Sequence, residues 1–429
     1  MKILEKILQH INVYSKTASI FYSFSYYFLK YKLKYITFND AVISTCNSLT
    51  HKNYLFTKVI QWGLQEVHKD INIQDNDELK TYFNSFSNSV PYSQSELKDS
   101  LLLLQSITEL ASIHNSELKF ENMCKPINSG SVALIFKGQL NNTSVIIKVL
   151  RPNIKNKIEE DIRMLLSFFD NIFVKNIINR YLKLNFKTFI ESNYDSLLNQ
   201  CCFNDEVKNA VLFANNLKNK QNIIVPCIYP YFTEKYNDVI VMDYIDGPIA
   251  KNVSLEVLKS HFESLQSFFF ESLFRYNILH GDFHLGNIIV TKKNTIGIID
   301  FGIVYNLTDD ISNRLFDLLF LSLDKKNNKI FLRSIIRFIC SDPTKYNIIY
   351  TKLENDEEVI EFMMSNFSSE LIIKAINKIM SDESIVLQKH ICRLFLSVMS
   401  GIQTIEYIND NKSLGDLIKS YIHRTVEMD

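Results

Sequence analysis

The sequence predicts a bilobal α+β protein with a small β-containing N-lobe and a helical C-lobe, preceded by a helical N-terminal extension. Only ten glycines and seven prolines occur among the 429 residues, so few residues interrupt long helices. Short β-branched and apolar runs are confined to the middle of the chain, whereas the flanking segments show helical periodicity. We expect residues 1–120 to form the extension, 121–247 the N-lobe with a helical insert, and 248–429 the C-lobe.

The extension contains an aromatic segment that fits two environments. Residues 101–110 have the periodicity of a helix with one apolar face. Residues 17–29 form an uncharged run rich in tyrosine and phenylalanine, with Lys16 before it and three lysines shortly after it. This run is too short to cross a bilayer, which needs about 20 residues. Two interpretations stay open, a buried helix or an aromatic helix that lies in a membrane interface.

The elements of the two lobes follow from β-branched runs and turn signals. Asn141-Asn142-Thr143 is a hairpin signal between two such runs. Residues 155–220 have a largely helical pattern, as has the chain after Ser254, where a β-loop region at 279–304 interrupts it. The predicted strands cover residues 132–136, 144–150, 222–228 and 238–242.

The charge balance excludes one class of function. The chain has 47 Lys and Arg residues against 47 Asp and Glu residues, and a protein that neutralises many nucleic-acid phosphates normally has a basic surface. We therefore expect no nucleic-acid partner. The seven cysteines are scattered without a C-x-x-C pair, which is typical of reduced thiols in an intracellular protein. The first residues lack the order of a secretory signal, and the compartment stays open.

The strongest chemical signal is a pair of motifs at residues 280–287 and 300–302. His280 to Asn287 fits the phosphoryl-transfer loop H-x-D-x-x-x-x-N, and a D-F-G tripeptide follows at the expected distance. Asp282 is expected to orient the acceptor hydroxyl or accept its proton. Asn287 and Asp300 offer the hard oxygen ligands that Mg²⁺ prefers. A D-F-G alone recurs by chance, and two solvated turns with buried histidines would also fit it, but both spacings together favour the catalytic interpretation.

A lysine suited to nucleotide phosphates lies upstream. Val145-Ile146-Ile147-Lys148 matches the strand whose lysine pairs with the α- and β-phosphates. By itself, Lys148 is better explained as a strand-end lysine that reaches water, but it precedes the catalytic loop in the expected order, which favours the phosphate-binding interpretation. A carboxylate on a following helix is expected to pair with it. Periodicity does not choose among the candidates, which are Glu159, Glu160, Glu191 and Glu206.

Two further segments are candidates for binding ATP or ADP. Asn128-Ser129-Gly130-Ser131 stands where a kinase has G-x-G-x-x-G, and its small residues are expected to bring backbone amides close to phosphates. The apolar run 238–242 continues into a polar segment, as at an adenine-binding hinge between lobes. Met242, Asp243 and Tyr244 are its candidate residues.

These motifs resemble the UbiB/ADCK group of atypical kinases, a group associated with coenzyme Q (ubiquinone) biosynthesis and lipid homeostasis. The resemblance covers roughly residues 40–310. Several motifs of the group have counterparts in addition to the catalytic loop and the D-F-G. They are Lys58 to Gln61 (K-x-G-Q), Pro126 to Ser131 (the alanine-rich loop), Val145 to Pro152 (V-A-V-K-V-x-R-P), Glu206 to Asn209 (E-A-x-N) and Met242 to Gly247.

The resemblance implies a protein-kinase-like fold in which Lys148 pairs with Glu206. It also implies that N-terminal helices bearing Lys58 and Gln61 cover the cleft and regulate it. The sequence departs from the group at several positions. Ile60 replaces the glycine of K-x-G-Q, Gln200-Cys201-Cys202 replaces the acidic E-x-D motif, and Phe283 and Leu285 replace two prolines of the catalytic loop.

The expected function is therefore that of an atypical kinase or ATPase that binds ATP with Mg²⁺ and acts in lipid or coenzyme Q metabolism rather than as an ordinary protein kinase. A lipid or small-molecule acceptor and peripheral membrane contact are the expected partners. Two different functions also stay open. His280-Gly281-Asp282 suits small-molecule phosphotransferases of the aminoglycoside and choline kinase type, and a non-catalytic ATP-gated scaffold has the same binding residues.

Overall fold

The computed structural model describes residues 18–20, 22–52, 90, 92–121, 125–169, 197–354, 388–410 and 413–428, with 15, 78, 79, 82, 194, 195, 356, 369, 372 and 373. The chain divides into two units. The first comprises Met1–Ile190, Tyr194–Phe203 and Tyr229–Tyr244, and the second comprises Glu191–Asn193, Asn204–Ile228 and Ile245–Asp429.

The first unit is built around an antiparallel sheet of five strands in the order β1-β3-β4-β6, with β2 paired to β3. The strands are β1 (Leu118–Phe120), β2 (Asn128–Ser129), β3 (Ala133–Leu140), β4 (Thr143–Leu150) and β6 (Val239–Asp243). This unit includes the helices α1 (Phe38–Lys52), α2 (Gln94–Ile113), α3 (Ile154–Phe169) and α5 (Pro230–Lys235), in addition to the aromatic segment described below.

The hairpin between β3 and β4 forms where the sequence predicts it. Leu140 pairs with Thr143, and the two residues between them, Asn141 and Asn142, have φ angles of 47° and 69°. A two-residue hairpin with both central φ angles positive matches the twist of the sheet, and asparagine tolerates this conformation better than most residues. The hairpin prediction is confirmed.

Helix α2 packs one face against this sheet. Ser93 and Glu96 close a capping box at its N-terminus, which satisfies two backbone donors that the first turn leaves unpaired. Its buried Leu104 and Ile107 contact the sheet face that carries Val145 and Ile147. Because side chains alternate along a strand, Lys148 lies on the opposite face of β4.

The second unit is mainly helical. Its helices are α4 (Phe203–Leu217), α6 (Leu255–Ser260), α7 (Phe262–Phe274), α8 (Asp309–Leu321), α9 (Asn328–Ile339), α10 (Tyr346–Glu354), α11 (Lys389–Ile408) and α12 (Leu414–Met428). Its strands are β5 (Ile223–Ile224), β7 (Ile278–His280), β8 (Ile288–Val290), β9 (Ile296–Ile298) and β10 (Val304–Asn306).

Helix α7 is the centre of the core of the second unit. Residues 268–273 of this helix are all buried. Six consecutive residues cover every face of a helix, so this helix is enclosed by protein. Phe269, Phe270 and Leu273 belong to one apolar cluster with residues from α8, α9, α11 and α12. The small sheets of this unit, β5-β9-β8 and β7-β10, carry the catalytic-loop motifs.

The predicted α+β fold class, with a protein-kinase-like arrangement of strands and helices, is confirmed. The predicted strand at 222–228 is much shorter, because only Ile223 and Ile224 pair with β9. Residues 204–228 group with the second unit although the sequence analysis assigns them to the N-lobe, and the change of unit at Tyr244/Ile245 lies within the predicted hinge. The boundaries at 120 and 247 stay predictions.

The aromatic segment of the extension is helical over residues 22–32. Its large side chains are exposed, from 39% for Tyr26 to 66% for Tyr22, with Phe24 and Phe28 between them. The interpretation of a buried helix is therefore wrong for these four residues. Within the described part of the chain, no helix is long and apolar enough to cross a membrane.

Candidate active site

The catalytic loop begins at the end of strand β7. The amide of Gly281 donates to the carbonyl of Ile303 at 2.8 Å, which continues the pairing of β7 with β10. A Cβ atom at Gly281 would lie 2.5 Å from Cγ2 of Ile303 and 2.6 Å from Cε2 of Tyr305. Only glycine fits this close approach, so Gly281 fixes where the chain leaves the sheet and presents Asp282.

Asn287 holds the loop closed on Asp282. Its Nδ2 donates to the Asp282 carbonyl at 2.9 Å and lies 3.4 Å from Asp282 Oδ2. Asn287 is buried, whereas Asp282 is partly exposed. Because Nδ2 is turned toward the loop backbone, Oδ1 is the amide atom that can serve as a metal ligand.

His284 lies beside the same carboxylate. Its Nδ1 accepts a hydrogen bond from the Gly286 amide at 2.9 Å, so the neutral ring carries its proton on Nε2. Nε2 lies 3.5 Å from Oδ2 of Asp282. The imidazole therefore turns its N–H toward the carboxylate that we expect to act on the acceptor hydroxyl.

Asp300 lies next to this loop because of strand pairing. Ile288 pairs with Ile298 between β8 and β9, and the Ile299 amide donates to the Asn287 carbonyl at 3.0 Å. Asn287 precedes β8 and Asp300 follows β9. The hairpin of these two strands therefore brings the two predicted metal ligands near each other although they are separated in the chain. Asp300 has a φ angle of 65°, a left-handed conformation that is uncommon outside glycine and is often found at functional sites.

Residues of the catalytic loop and the D-F-G segment pack in a buried aromatic cluster. His280 is 1% exposed, and the centre of its ring lies 5.4 Å from that of Phe301 and 6.1 Å from that of Phe213. Burial lowers the pKa of His280 below its usual value, more strongly than the neighbouring Asp282 and Asp300 raise it. Phe283, where the related group has proline, is buried and packs on Phe268 of α7.

Helix α4 connects Glu206 with the D-F-G segment. The side chain of Asn209 donates to the carbonyl of Phe301 at 3.0 Å, and the ring centres of Phe213 and Phe301 are 5.1 Å apart. Glu206 lies one turn before Asn209 and is 5% exposed, so both residues lie on similar faces of the helix. In the sequence, Asn209 stands out only as part of a family motif, with no role of its own.

In the first unit, Lys148 lies on the central strand of the sheet. It pairs with Ile135 of β3 and with Ile240 of β6. Directly opposed residues share a sheet face, and Met242 opposes Ile146, two residues before Lys148. The predicted adenine-contacting Met242 therefore shares the face of the lysine that we expect to bind phosphate.

The other hinge residues are held by polar contacts in the first unit. Asp243 accepts a hydrogen bond from the Tyr229 hydroxyl at 2.8 Å. The Tyr244 amide donates to the Ser144 carbonyl at 2.9 Å. The segment thus has a fixed backbone up to the point where the chain enters the second unit.

The predicted phosphate loop is a tight turn between β2 and β3. The Gly130 amide donates to the Ala133 carbonyl at 2.9 Å, and the Ser129 amide donates to the side chain of Asn128 at 2.7 Å. Two of the four loop amides are therefore engaged within the protein. Ser131 is buried at the turn. Arg151, which the sequence shows only as part of a motif, contacts this loop.

Some predicted residues lie outside the described part of the chain. These are Lys58, Gln61 and the candidate carboxylate Glu191. Glu159, another candidate partner of Lys148, lies 3.3 Å from Arg163 on α3. The pairing of Lys148 with Glu206 stays a prediction.

The donor set of the second unit fits Mg²⁺. Asn287 and Asp300 contribute an amide oxygen and a carboxylate, and Mg²⁺ typically takes one or two such protein ligands together with waters and substrate phosphates. Within the residues described, no group of three His, Cys, Asp or Glu side chains is placed to hold a metal ion. Two protein oxygens suit a metal whose other ligands are waters and nucleotide phosphates.

Comparisons with known proteins identify the family that the chain resembles. A family model described as "ABC1 atypical kinase-like domain" matches residues 103–334, more than half of the chain. A "Probable protein kinase UbiB" from Shewanella pealeana is 27% identical over 197 residues, and one from Tolumonas auensis is 33% identical over 195 residues. Each match covers 43% of this chain and 35% of the relative, so the chain matches about a third of the length of these relatives.

A similar solved structure is that of a Mycobacterium tuberculosis protein in complex with erythromycin. The alignment covers 81% of this chain and 87% of that one, at 15% identity and a TM-score of 0.44.

Proposed function

Because the chain belongs to the ABC1 atypical kinase-like family, which includes the UbiB/ADCK group, we propose that it binds ATP with Mg²⁺ and acts as an atypical kinase or ATPase. The observation that carries the proposal is the hydrogen-bonded arrangement of Asp282, Asn287 and the segment leading to Asp300. In this arrangement Asn287 and Asp300 are the proposed Mg²⁺ ligands, and the carboxylate of Asp282 is the proposed base.

In this proposal each residue has a separate task. Lys148 neutralises charge on the α- and β-phosphates, and Glu206 orients Lys148. Asn287 and Asp300 hold Mg²⁺, which when bound supplies charge neutralisation on the transferred phosphate. Asp282 accepts the proton of the acceptor hydroxyl, whose oxygen forms the new bond to phosphorus while the bond to the leaving ADP breaks. In an ATPase the acceptor is water.

We propose a lipid or small-molecule acceptor in lipid or coenzyme Q metabolism rather than a protein. Support comes from the short turn at 128–131, which lacks the three glycines of protein kinases. The resemblance to the UbiB/ADCK group adds the expectation that Lys58 and Gln61 belong to a segment that covers the cleft.

We also propose peripheral membrane contact through the exposed aromatic helix. Tyr22, Phe24 and Phe28 present large apolar area to solvent, and lysines accompany them, with Lys30 Nζ 4.7 Å from the ring centre of Tyr26. Aromatic side chains next to lysines suit the interface of an anionic bilayer.

Flotation with vesicles tests the membrane contact. We expect wild-type protein to float with phosphatidylglycerol vesicles and less with phosphatidylcholine vesicles, and Phe24→Ser/Phe28→Ser to reduce flotation. The control is Phe320→Ser, which removes an exposed aromatic ring from the other unit. Equal flotation of all three proteins would contradict this assignment.

Steady-state ADP release tests the enzymatic proposal against the two competing functions. ADP release that rises with lipid or quinone-precursor hydroxyls supports the proposal, and release stimulated by aminoglycosides or choline supports a small-molecule phosphotransferase. Nucleotide binding without turnover under any condition supports the ATP-gated scaffold. Efficient phosphorylation of generic protein substrates contradicts the proposed acceptor class.

A further inference from the structure

A buried arginine, Arg151, contacts the backbone and a side chain of the predicted phosphate loop. Arg151 follows β4, three residues after Lys148, and is 2% exposed. Its backbone amide donates to the Val132 carbonyl at 2.9 Å. A guanidinium is almost never buried without partners for its charge and its five N–H donors. The partners of Arg151 therefore identify the segments that it connects.

The guanidinium binds three acceptors from two segments. Nε and Nη2 donate to the Gly130 carbonyl at 3.1 and 2.9 Å. Nη2 also donates to Ser129 Oγ at 2.7 Å and to the Val90 carbonyl at 3.1 Å. Ser129 closes the cluster, because its hydroxyl donates to the Val90 carbonyl at 2.6 Å and its own carbonyl accepts from the Val90 amide at 2.8 Å.

Glu96 compensates the buried positive charge. Its carboxylate lies 3.5 Å from Nη1 of Arg151 and 3.0 Å from Nζ of Lys157. The same carboxylate accepts the Ser93 amide at 2.9 Å in the capping box of α2. Burial raises the pKa of Glu96, but the Ser93 amide and the two cations outweigh it and keep the pKa below its usual value. Arg151 is thus connected to the first turn of α2 as well as to the loop.

The carbonyl contact also determines where a loop amide points. The peptide between Gly130 and Ser131 is trans, so its N–H points away from its C=O. Because the guanidinium holds the Gly130 carbonyl from one side, the Ser131 amide is directed to the other side of the loop. The Ser129 and Gly130 amides are engaged elsewhere, and Ser131 is the loop residue whose amide direction follows from the contact between Arg151 and the Gly130 carbonyl.

We propose that Arg151 is a positioning residue that aims the Ser131 amide at a nucleotide phosphate and ties the loop to α2 and Val90. The proposal rests on the nucleotide binding proposed above. Lysine cannot replace arginine here, because a single ammonium does not reproduce the planar fork that binds three acceptors.

The test uses Arg151→Lys and Arg151→Met in the full chain, with Ser129→Ala as a milder change in the same cluster. Arg163→Met is the matched control, because Arg163 is an exposed arginine of the same unit. We expect both Arg151 variants to raise the Kd and KM for ATP at least tenfold with kcat changed less than threefold, and Ser129→Ala to raise them by a smaller factor. The control is expected to match wild type. Folded Arg151→Lys with wild-type Kd and KM overturns the proposal.

Hydrogen exchange without nucleotide separates this proposal from the one on which it rests. If Arg151 fixes the loop, a peptide covering residues 127–133 exchanges at least fivefold faster in Arg151→Lys and in Ser129→Ala than in wild type or in Arg163→Met. Unchanged exchange in both variants overturns the positioning role, whether or not ATP binds. If these variants exchange faster but the wild-type chain binds no ATP, the positioning of the loop by Arg151 is supported. Only the proposed nucleotide binding is then contradicted.

Discussion

Asn209 donates a hydrogen bond from Nδ2 to the backbone carbonyl of Phe301 at 3.0 Å. This contact joins the helix that carries Glu206 to the segment that begins with Asp300. A displacement of either element therefore costs a hydrogen bond inside the second unit.

Replacing Asn209 with alanine is expected to destabilise the protein by about 1–2 kcal/mol, since the Phe301 carbonyl loses its side-chain donor. Urea unfolding measures the change. Asn215→Ala is the matched control, because Asn215 lies on the same helix and is exposed, and exposed substitutions typically stay within about 0.5 kcal/mol. Equal effects of the two substitutions would show that the contact with Phe301 contributes nothing.

Asp282→Asn is expected to abolish most turnover while leaving nucleotide binding intact. Amide and carboxylate have nearly the same shape, but the amide does not accept the acceptor's proton, and loss of a general base typically costs a factor of about 10²–10⁴. ADP release and equilibrium ATP binding measure the two effects. Asp246→Asn, at an exposed carboxylate that pairs with Lys292 at 2.8 Å, is the control. Wild-type turnover in Asp282→Asn would remove Asp282 from the mechanism.

Lys148→Met and Glu206→Gln are each expected to weaken ATP binding at least tenfold, or about 1.4 kcal/mol. If the two residues pair, the double variant loses much less than the sum, with a coupling energy of about 0.5–3 kcal/mol. Asp205→Asn is the control, because Asp205 is the exposed neighbour of Glu206 on the same helix. Additive losses would instead favour Glu159, Glu160 or Glu191 as the partner of Lys148.

Acid is expected to destabilise the protein through His280. Burial lowers its folded-state pKa below the ordinary value of 6.5, so below about pH 6.5 the unfolded state binds this proton more readily than the folded state. Its contribution is therefore present above that pH and is lost as the pH falls, with a maximal slope of about 1.4 kcal/mol per pH unit.

Urea unfolding between pH 7.5 and 5 checks this prediction. His280→Phe keeps an aromatic ring in the cluster and removes the titration, so it should lose less stability than wild type as the pH falls. His423→Phe, at an exposed position, should retain the wild-type slope. Parallel slopes for wild type and His280→Phe would contradict the assignment.

Local sequence patterns predict those parts of the site that depend on short-range geometry. The hairpin at Asn141 and Asn142 follows from turn chemistry, and the proximity of Asn287 to the D-F-G segment follows from a motif whose spacing matches one β-hairpin. In both cases the interacting residues are close in the chain or paired through adjacent strands.

Contacts between distant segments were not accessible in this way. Nothing in the residues near Arg151 indicates that it binds the carbonyl of Val90, 61 positions earlier, or that Asn209 reaches Phe301, 92 positions later. Composition also does not decide between the two interpretations of the aromatic run, because hydrophobicity alone does not specify whether Phe24 and Phe28 face protein or solvent.

The most direct test of the account is equilibrium binding of ATP to the wild-type protein and to Asp300→Asn, with and without Mg²⁺. A ligand at 100 times its Kd stabilises the folded state by about 2.7 kcal/mol, so thermal unfolding reports the binding. We predict a large Mg²⁺-dependent stabilisation of the wild type and its loss in Asp300→Asn, with binding that needs no metal retained. The proposed nucleotide and metal site would be contradicted if the wild type did not bind ATP. It would also be contradicted if Asp300→Asn kept the full Mg²⁺-dependent stabilisation by ATP.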